Sequence, residues 1–261
     1  MKRLNTIISA TLLLLGSSAF AAQPVLVGHR GSGYGLENSA ESFRKGIELG
    51  YPYLETDVKF TKDSVLVCSH DDTTERLGGS KALAESTLAE LKSELLRQTR
   101  NGVEYTGHIC TAEEYLTICK EGGVGAVVEL KYTDGINKND TSRIPELIDL
   151  IDRLGMRERC IILTSQKNCL EYIRTNYPDI ELQFLTGQYW PNHFDWCVQW
   201  KLDVDIQAGH FDKETVDKFH EKGLKVNMWT TNTLEGYKEY TDMGCDFITT
   251  DRLNAAELPA E

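Results

Sequence analysis

Short β-branched runs alternate with amphipathic, helix-like segments from Val25 almost to the end of the chain, and no other feature of the sequence restricts the fold as much. Eight runs read as strands, at residues 25–29, 53–58, 126–131, 160–164, 182–186, 204–208, 225–230 and 246–250. Runs such as Val25-Leu26-Val27 and Cys160-Ile161-Ile162-Leu163 are apolar on both faces, as strands of a parallel sheet covered on both sides are. Helices are expected over 39–49, 112–121, 143–154, 166–176, 212–222 and 234–243. Asn38 and Thr111 stand as N-caps, and Gly50, Gly123 and Gly223 as stops. Strands interleaved with helices in this way predict an α/β fold, a (β/α)8 TIM barrel. A doubly wound open sheet is the alternative. Against it, the loop His29-Arg30-Gly31-Ser32-Gly33-Tyr34-Gly35 lacks the GxGxxG frame.

Residues 73–108 break the alternation. One amphipathic helix is expected there, over 83–96, bounded by Gly78-Gly79 and Asn101-Gly102. The segment reads as an insertion after the second barrel strand, capping the C-terminal face where barrel active sites lie.

The first 21 residues read as a cleaved export signal. Lys2 and Arg3 precede an apolar run from Ile7 to Leu15, and Ala19-Phe20-Ala21 before Ala22 fits a small-x-small cleavage site. A membrane anchor is the competing reading, but a span needs about 20 apolar residues. A periplasmic or secreted protein is therefore expected, with one barrel domain over 22–261. The full chain's 28 lysines and arginines face 40 aspartates and glutamates, a net charge of −12, which becomes −14 once Lys2 and Arg3 leave with the signal. Such a surface repels nucleic acid and anionic membranes. Neither nucleic acid nor stable membrane insertion is expected, and an anionic substrate needs a local positive site. The seven cysteines form no CxxC pair and are an odd number, so at least one is unpaired. Most are expected as small core residues rather than disulfides.

Chemistry-bearing residues collect where strands end. Leu54-Glu55-Thr56-Asp57-Val58, a polar turn at Thr61-Lys62-Asp63-Ser64 and a returning run over 65–70 read as a hairpin. Strand alternation puts Glu55 and Asp57 on one face. A turn centred between Lys62 and Asp63 then sets His70 opposite Glu55. The third strand repeats the spacing with Glu129 and Lys131. Three carboxylates from neighbouring strands make an all-oxygen site of the kind Mg2+ or Ca2+ takes, whereas zinc recruits histidine or cysteine. Taken alone, Glu55 and Asp57 also fit a solvated strand end. His29 and His70 beside such a site suit acid–base catalysis, one removing a proton from the nucleophile and the other protonating the leaving group. Arg30 is suited to a two-point grip on phosphate. Lys131 is suited to neutralising phosphoryl charge, or to a salt bridge with Glu129. Trp229 is placed to line the pocket against an alcohol group. His108, His193, His210 and His220 are expected to be structural or at the surface, and the aromatics of 189–200 to pack the core.

Together, His29-Arg30-Gly31, Glu37-Asn38-Ser39, Gly50, Glu55-Thr56-Asp57, Thr61-Lys62-Asp63, His70-Asp71, Glu129-Leu130-Lys131, Trp229-Thr230-Thr231-Asn232 and Ile248-Thr249-Thr250-Asp251 resemble the glycerophosphodiester phosphodiesterase family in order and spacing. The resemblance implies a barrel with a small insertion after its second strand. It implies hydrolysis of a glycerophosphodiester, a small-molecule partner, to sn-glycerol 3-phosphate and an alcohol in glycerophospholipid breakdown. It implies one divalent cation, Mg2+ or Ca2+, on Glu55, Asp57 and Glu129, with His29 as proton acceptor and His70 as proton donor. Arg30 and Lys131 fall on the phosphate. The oligomeric state is left open.

The sequence departs from the family at Leu36, where a proline is usual, along Asp72–Gly79, and at Ile109-Cys110-Thr111-Ala112-Glu113-Glu114. These positions lie in and beside the insertion, where the leaving alcohol would be selected. The competing functions are a barrel phospholipase acting on intact lipid and a non-catalytic phosphodiester-binding protein. A His70 turned away from the carboxylates would favour the binding protein.

Overall fold

A computed structural model provides the structure of the protein, which describes residues 23–132, 140–188, 191–254, 256 and 258. The expected export signal, together with Tyr189 and Trp190, lies outside the described residues. In chain order, β1 (Val25–Gly28), α1 (Ala40–Glu48) and β2 (Tyr53–Phe60) lead into an excursion. The excursion contains β3 (Leu66–Cys68), α2 (Leu88–Lys92), β4 (Leu96–Arg100), β5 (Val103–Gly107) and β6 (Cys110–Thr111). Regular alternation then resumes with α3 (Ala112–Gly122), β7 (Gly125–Leu130), α4 (Ile144–Arg153), β8 (Cys160–Thr164) and α5 (Lys167–Asn176). It ends with β9 (Glu181–Thr186), α6 (Pro191–Trp200), β10 (Asp203–Gln207), α7 (Lys213–Glu221), β11 (Val226–Trp229), α8 (Leu234–Met243) and β12 (Phe247–Thr250).

Parallel strands β1, β2, β7, β8, β9, β10, β11 and β12 pair in that circular order, and β1 closes the ring by pairing with both β2 and β12. The closed (β/α)8 barrel expected from the alternation is thus the fold. Period-two alternation divides the core. Val27, Val127, Ile161, Leu163 and Phe247 form a cluster inside the ring, while Leu26, Leu54, Val58, Val128 and Ile162 pack outward against the helices. Each fully buried side chain of this kind contributes about 1.5–3 kcal/mol. All seven cysteines are buried with free thiols.

Local sequence explains most element ends. Thr111 and Glu114 form a reciprocal capping box at the start of α3, and Gly123 ends it in the left-handed conformation. At α1 the cap is Ser39, which accepts from the Ser42 N–H, and not Asn38. Asn38 sits at φ +55° and turns its side chain to β2, where Nδ2 donates to Asp57 and Oδ1 accepts from Thr56. A residue that suits an N-cap by type is used here to fix a carboxylate.

Two further expectations require correction. The helix expected over 83–96 is broken. A 3-10 turn spans Leu83–Glu85, α2 restarts at a second capping box between Thr87 and Glu90, and β4 follows. Asn101 and Gly102, both at positive φ, form the tight turn that pairs β4 with β5. The apolar residues do point inward, since Leu83, Leu91 and Leu96 close on Leu36, Val67 and Ile109 in a separate small core. Second, the hairpin register is one residue off. Val58 faces Cys68 and Phe60 faces Leu66, because Ser64 at φ +67° adds a residue to the turn, so the pairing extrapolates to Thr56 opposite His70. The aromatics of the 191–200 segment pack against the core as expected, and they do so from a helix that the sequence did not mark, α6. Trp196 packs on Phe184 and Phe194 on Phe219, with ring centroids 5.1 and 5.2 Å apart.

Candidate active site

Every barrel strand points its C-terminal end at one mouth, and the polar residues gather there. The chain leaves β1 at His29 and turns back at once through Arg30 and Gly31, both at positive φ. A Cβ on Gly31 would meet Ser42 Oγ at 2.5 Å, so only glycine fits the turn. The turn aims the Arg30 N–H at Glu55 Oε2, 2.8 Å away.

Glu55, Asp57 and Glu129 each offer a carboxylate oxygen, and these lie within 4.8 Å of one another. Parallel pairing of β2 with β7 sets Asp57 beside Glu129. Lys131 Nζ sits 3.0 Å from Asp57 and 3.3 Å from Glu129. Arg30 Nε is 3.5 Å from Asp57 Oδ2, a charge contact that leaves this buried N–H without a hydrogen bond. Burial, and then the charge of Asp57, push Glu55 well above the usual carboxylate range and Glu129 up to about 8. For Asp57 burial acts in the same direction, but Lys131 and Arg30 hold its carboxyl well below the usual range. Three crowded carboxylates with only oxygen donors fit a hard divalent cation.

His29 and His70 flank this group. His29 Nδ1 is 3.1 Å from Asp251 Oδ1 and His70 Nδ1 is 2.7 Å from Asp71 Oδ1. Each carboxylate, accepting from Nδ1–H, leaves the other ring nitrogen free for chemistry. Burial lowers the His70 pKa, and nearby Asp57 only partly offsets that.

One cavity of about 480 Å³ at the mouth is lined by His29, Arg30, Glu55, His70, Glu129 and Lys131 on one side, and by Leu163, Leu185, Asp205, Trp229 and Thr249 on the other. A second, open groove shares His70, Glu129 and Lys131 and runs outward past Lys59, Asp72, Ser165 and Gln166. His70 therefore stands at the boundary between the two, and it faces the carboxylates although the hairpin register alone would turn it away. It does so because β3 ends at Cys68 and the chain leaves the sheet before His70.

All eight residues singled out in the sequence for catalysis, binding or metal come together here. Seven line the inner cavity, and Asp57 lies directly behind them, tied to Arg30 and Lys131. Lys131 makes its ion pair to Asp57 as well as to Glu129. Sequence reasoning did not assign roles to Asp251, Glu37, Arg76 or Arg100. Asp251 and Glu37 lay within quoted motifs. Arg76 bridges Asp71 and Glu37, and Arg100 reaches Asp251 at 2.6 Å. Both arginines come from the insertion, and no spacing signal marks them.

A model of the "Glycerophosphoryl diester phosphodiesterase family" matches residues 29–255. A glycerophosphodiester phosphodiesterase of Caldanaerobacter subterraneus is 26% identical over 239 residues, covering 87% of this chain and 93% of that protein. Mouse glycerophosphodiester phosphodiesterase 1 is 24% identical, over 87% of this chain and 78% of its own length. Among solved structures, an Oleispira antarctica phosphodiesterase in complex with the product sn-glycerol-3-phosphate superposes with a TM-score of 0.77 at 20% identity, covering 88% of this chain and 93% of that one.

Proposed function

The chain belongs to the glycerophosphoryl diester phosphodiesterase family, and on that premise we propose that it hydrolyses a glycerophosphodiester by acid–base catalysis between His29 and His70 beside a divalent-cation site. The products are sn-glycerol 3-phosphate and an alcohol. The observation that carries this reading is the shared cavity, whose one wall holds both histidines, Arg30, Lys131, Glu55 and Glu129.

Arg30 and Lys131, both lining the cavity, grip the non-bridging phosphate oxygens. Glu55, Asp57 and Glu129 would hold Mg2+ or Ca2+, which when bound neutralises phosphate charge. His29, held by Asp251, takes the proton of the attacking oxygen as its bond to phosphorus forms. The bond from phosphorus to the alcohol oxygen breaks, and His70 gives that oxygen a proton. His29 lines only the inner cavity, while His70 lines both spaces. The glycerol end therefore belongs inside, against Trp229, and the leaving alcohol in the outer groove. The net charge of −12 supports a small soluble diester over an anionic lipid surface. The basic start and apolar run before Ala22 support export to the periplasm or medium, with the substrate drawn from glycerophospholipid breakdown.

The test is turnover of glycerophosphocholine and glycerophosphoethanolamine by purified protein, beside intact-lipid vesicles. Release of sn-glycerol 3-phosphate from the soluble diesters, stopped by a chelator and restored by Mg2+ or Ca2+, is expected. Turnover that survives chelation removes the cation from the proposal. Absence of turnover with either ion removes the activity.

A further inference from the structure

Strand β10 carries an acid that the chemistry above does not use. Asp205 lies in register between Leu185 and Asn227, is 3% exposed, and lines the inner cavity beside Leu185, Trp229 and Thr249. Among the described residues no hydrogen bond or ion pair ends on its carboxyl, and Oδ1 is buried without a partner. Two neighbouring donors, Gln183 Nε2 and Trp229 Nε1, are likewise buried without a partner and make no hydrogen bond to Asp205, while Asn227 is occupied on both sides. Asn227 Nδ2 donates to Gln183 Oε1 at 3.1 Å, and Asn227 Oδ1 accepts from Thr249 Oγ1 at 3.2 Å.

A buried polar group left unpaired costs about 1–3 kcal/mol, and around Asp205 this wall is mostly apolar, with Leu163, Leu185 and the face of the Trp229 ring. Asp205 lines the cavity, so a hydroxyl of the molecule that fills it can supply the hydrogen bond this carboxyl lacks. On the reading given above, the glycerol end of the diester fills it, and its only polar groups besides the phosphate are hydroxyls. We propose that Asp205 recognises a glycerol hydroxyl and so makes the inner cavity selective for polyol phosphodiesters. Burial pushes this carboxyl well above the usual range. A neutral acid both donates to and accepts from a hydroxyl, and it sets no extra negative charge against the phosphate.

The test compares wild type, Asp205→Ala and Asp205→Asn on glycerophosphoethanolamine and on bis(4-nitrophenyl) phosphate, which has no hydroxyl. Calorimetric binding of sn-glycerol 3-phosphate and of inorganic phosphate runs alongside. For Asp205→Ala, kcat/KM on the glycerol diester should fall about 10- to 100-fold, with a matching loss in sn-glycerol 3-phosphate affinity. Turnover of the aryl diester and binding of inorganic phosphate should not change. Asp205→Asn, which still donates and accepts, should keep most of the affinity. Equal losses on both diesters, or none on the glycerol diester, overturn the proposal. Removing an unpartnered acid should leave the melting temperature unchanged or higher; should the alanine variant unfold, the asparagine variant carries the comparison with leucine at the same position. A wild type that turns over neither diester sinks the enzymatic reading, and the two binding isotherms still decide the role of Asp205.

Discussion

His29 Nδ1 lies 3.1 Å from Asp251 Oδ1, so the histidine leaving the first barrel strand is held by an aspartate leaving the last. Asn232 Nδ2 and Arg100 Nη2 hold the same carboxylate at 3.2 and 2.6 Å. Burial acts to raise the Asp251 pKa, but the bond to His29 and its charge hold it well below the usual range. An ionised Asp251 fixes the His29 tautomer with Nε2 as the free base. Asp251→Asn should lower kcat about 100-fold with little change in KM, because an amide no longer enforces that tautomer. Steady-state kinetics decide this. A rise in KM alone would mean that Asp251 shapes binding and not the base.

The two histidines should separate by leaving group. His70→Ala should cost about 10²–10⁴-fold on a glycerophosphodiester whose alcohol needs a proton to depart. On a 4-nitrophenyl ester, which leaves without one, the loss should nearly vanish. His29→Ala should lose activity on both. Circular dichroism and melting curves should match wild type, since both rings lie at the cavity wall and not in the apolar core. Equal sensitivity of both variants to the leaving group would exchange or abolish the assigned roles.

Cation binding should release protons. Burial and Asp57 raise Glu55 well above the usual range and Glu129 to about 8, so near neutral pH the cation-free site keeps a proton that a ligand carboxylate must give up. A raised carboxyl pKa stabilises the fold at low pH and costs stability as pH rises from 4.5 towards that value. Mg2+ or Ca2+ should therefore bind more tightly as pH rises, by up to about tenfold per pH unit below 8 for one proton released. Titration calorimetry in buffers of different ionisation enthalpy measures the protons directly. No buffer dependence would mean that the three carboxylates are already ionised.

The barrel was legible because parallel strands buried on both faces leave apolar runs, and the helices between them carry Thr, Ser and Gly at their ends. The metal-type cluster was legible because strand alternation turns Glu55-x-Asp57 and Glu129-x-Lys131 into shared faces. What escaped depends on distant chain. Arg76 and Arg100 reach Glu37 and Asp251 across 39 and 151 positions, and nothing in their neighbourhood announces a partner. The helix expected over 83–96 failed because leucines at helical spacing also suit a 3-10 turn, a short helix and a strand that meet on one small core. Asp205 reads in sequence as one polar residue of an alternating strand, and its isolation is visible only once the surrounding side chains are in place.

Acid sensitivity should trace to Glu37. Burial acts to raise its pKa, but hydrogen bonds from Arg76 and the charges of Arg30 and Arg76 hold it down at about 2, against an ordinary 4.5. A depressed carboxyl adds stability that is present above the unfolded value and is lost as pH falls through the folded one. The window therefore runs from 4.5 down to about 2. At neutral pH, Glu37→Gln should cost about 3 kcal/mol, a shift of this size converted at about 1.4 kcal/mol per unit. Urea unfolding followed from neutral pH to about 2 should show the wild-type and variant curves converging as Glu37 takes up its proton. The loss should extend to activity, because Glu37 holds Arg30 through Nη1 and ties Arg76, and through it Asp71 and His70, to the barrel mouth. A constant difference across the whole pH range would assign the cost of the substitution to lost packing and not to the carboxylate's charge.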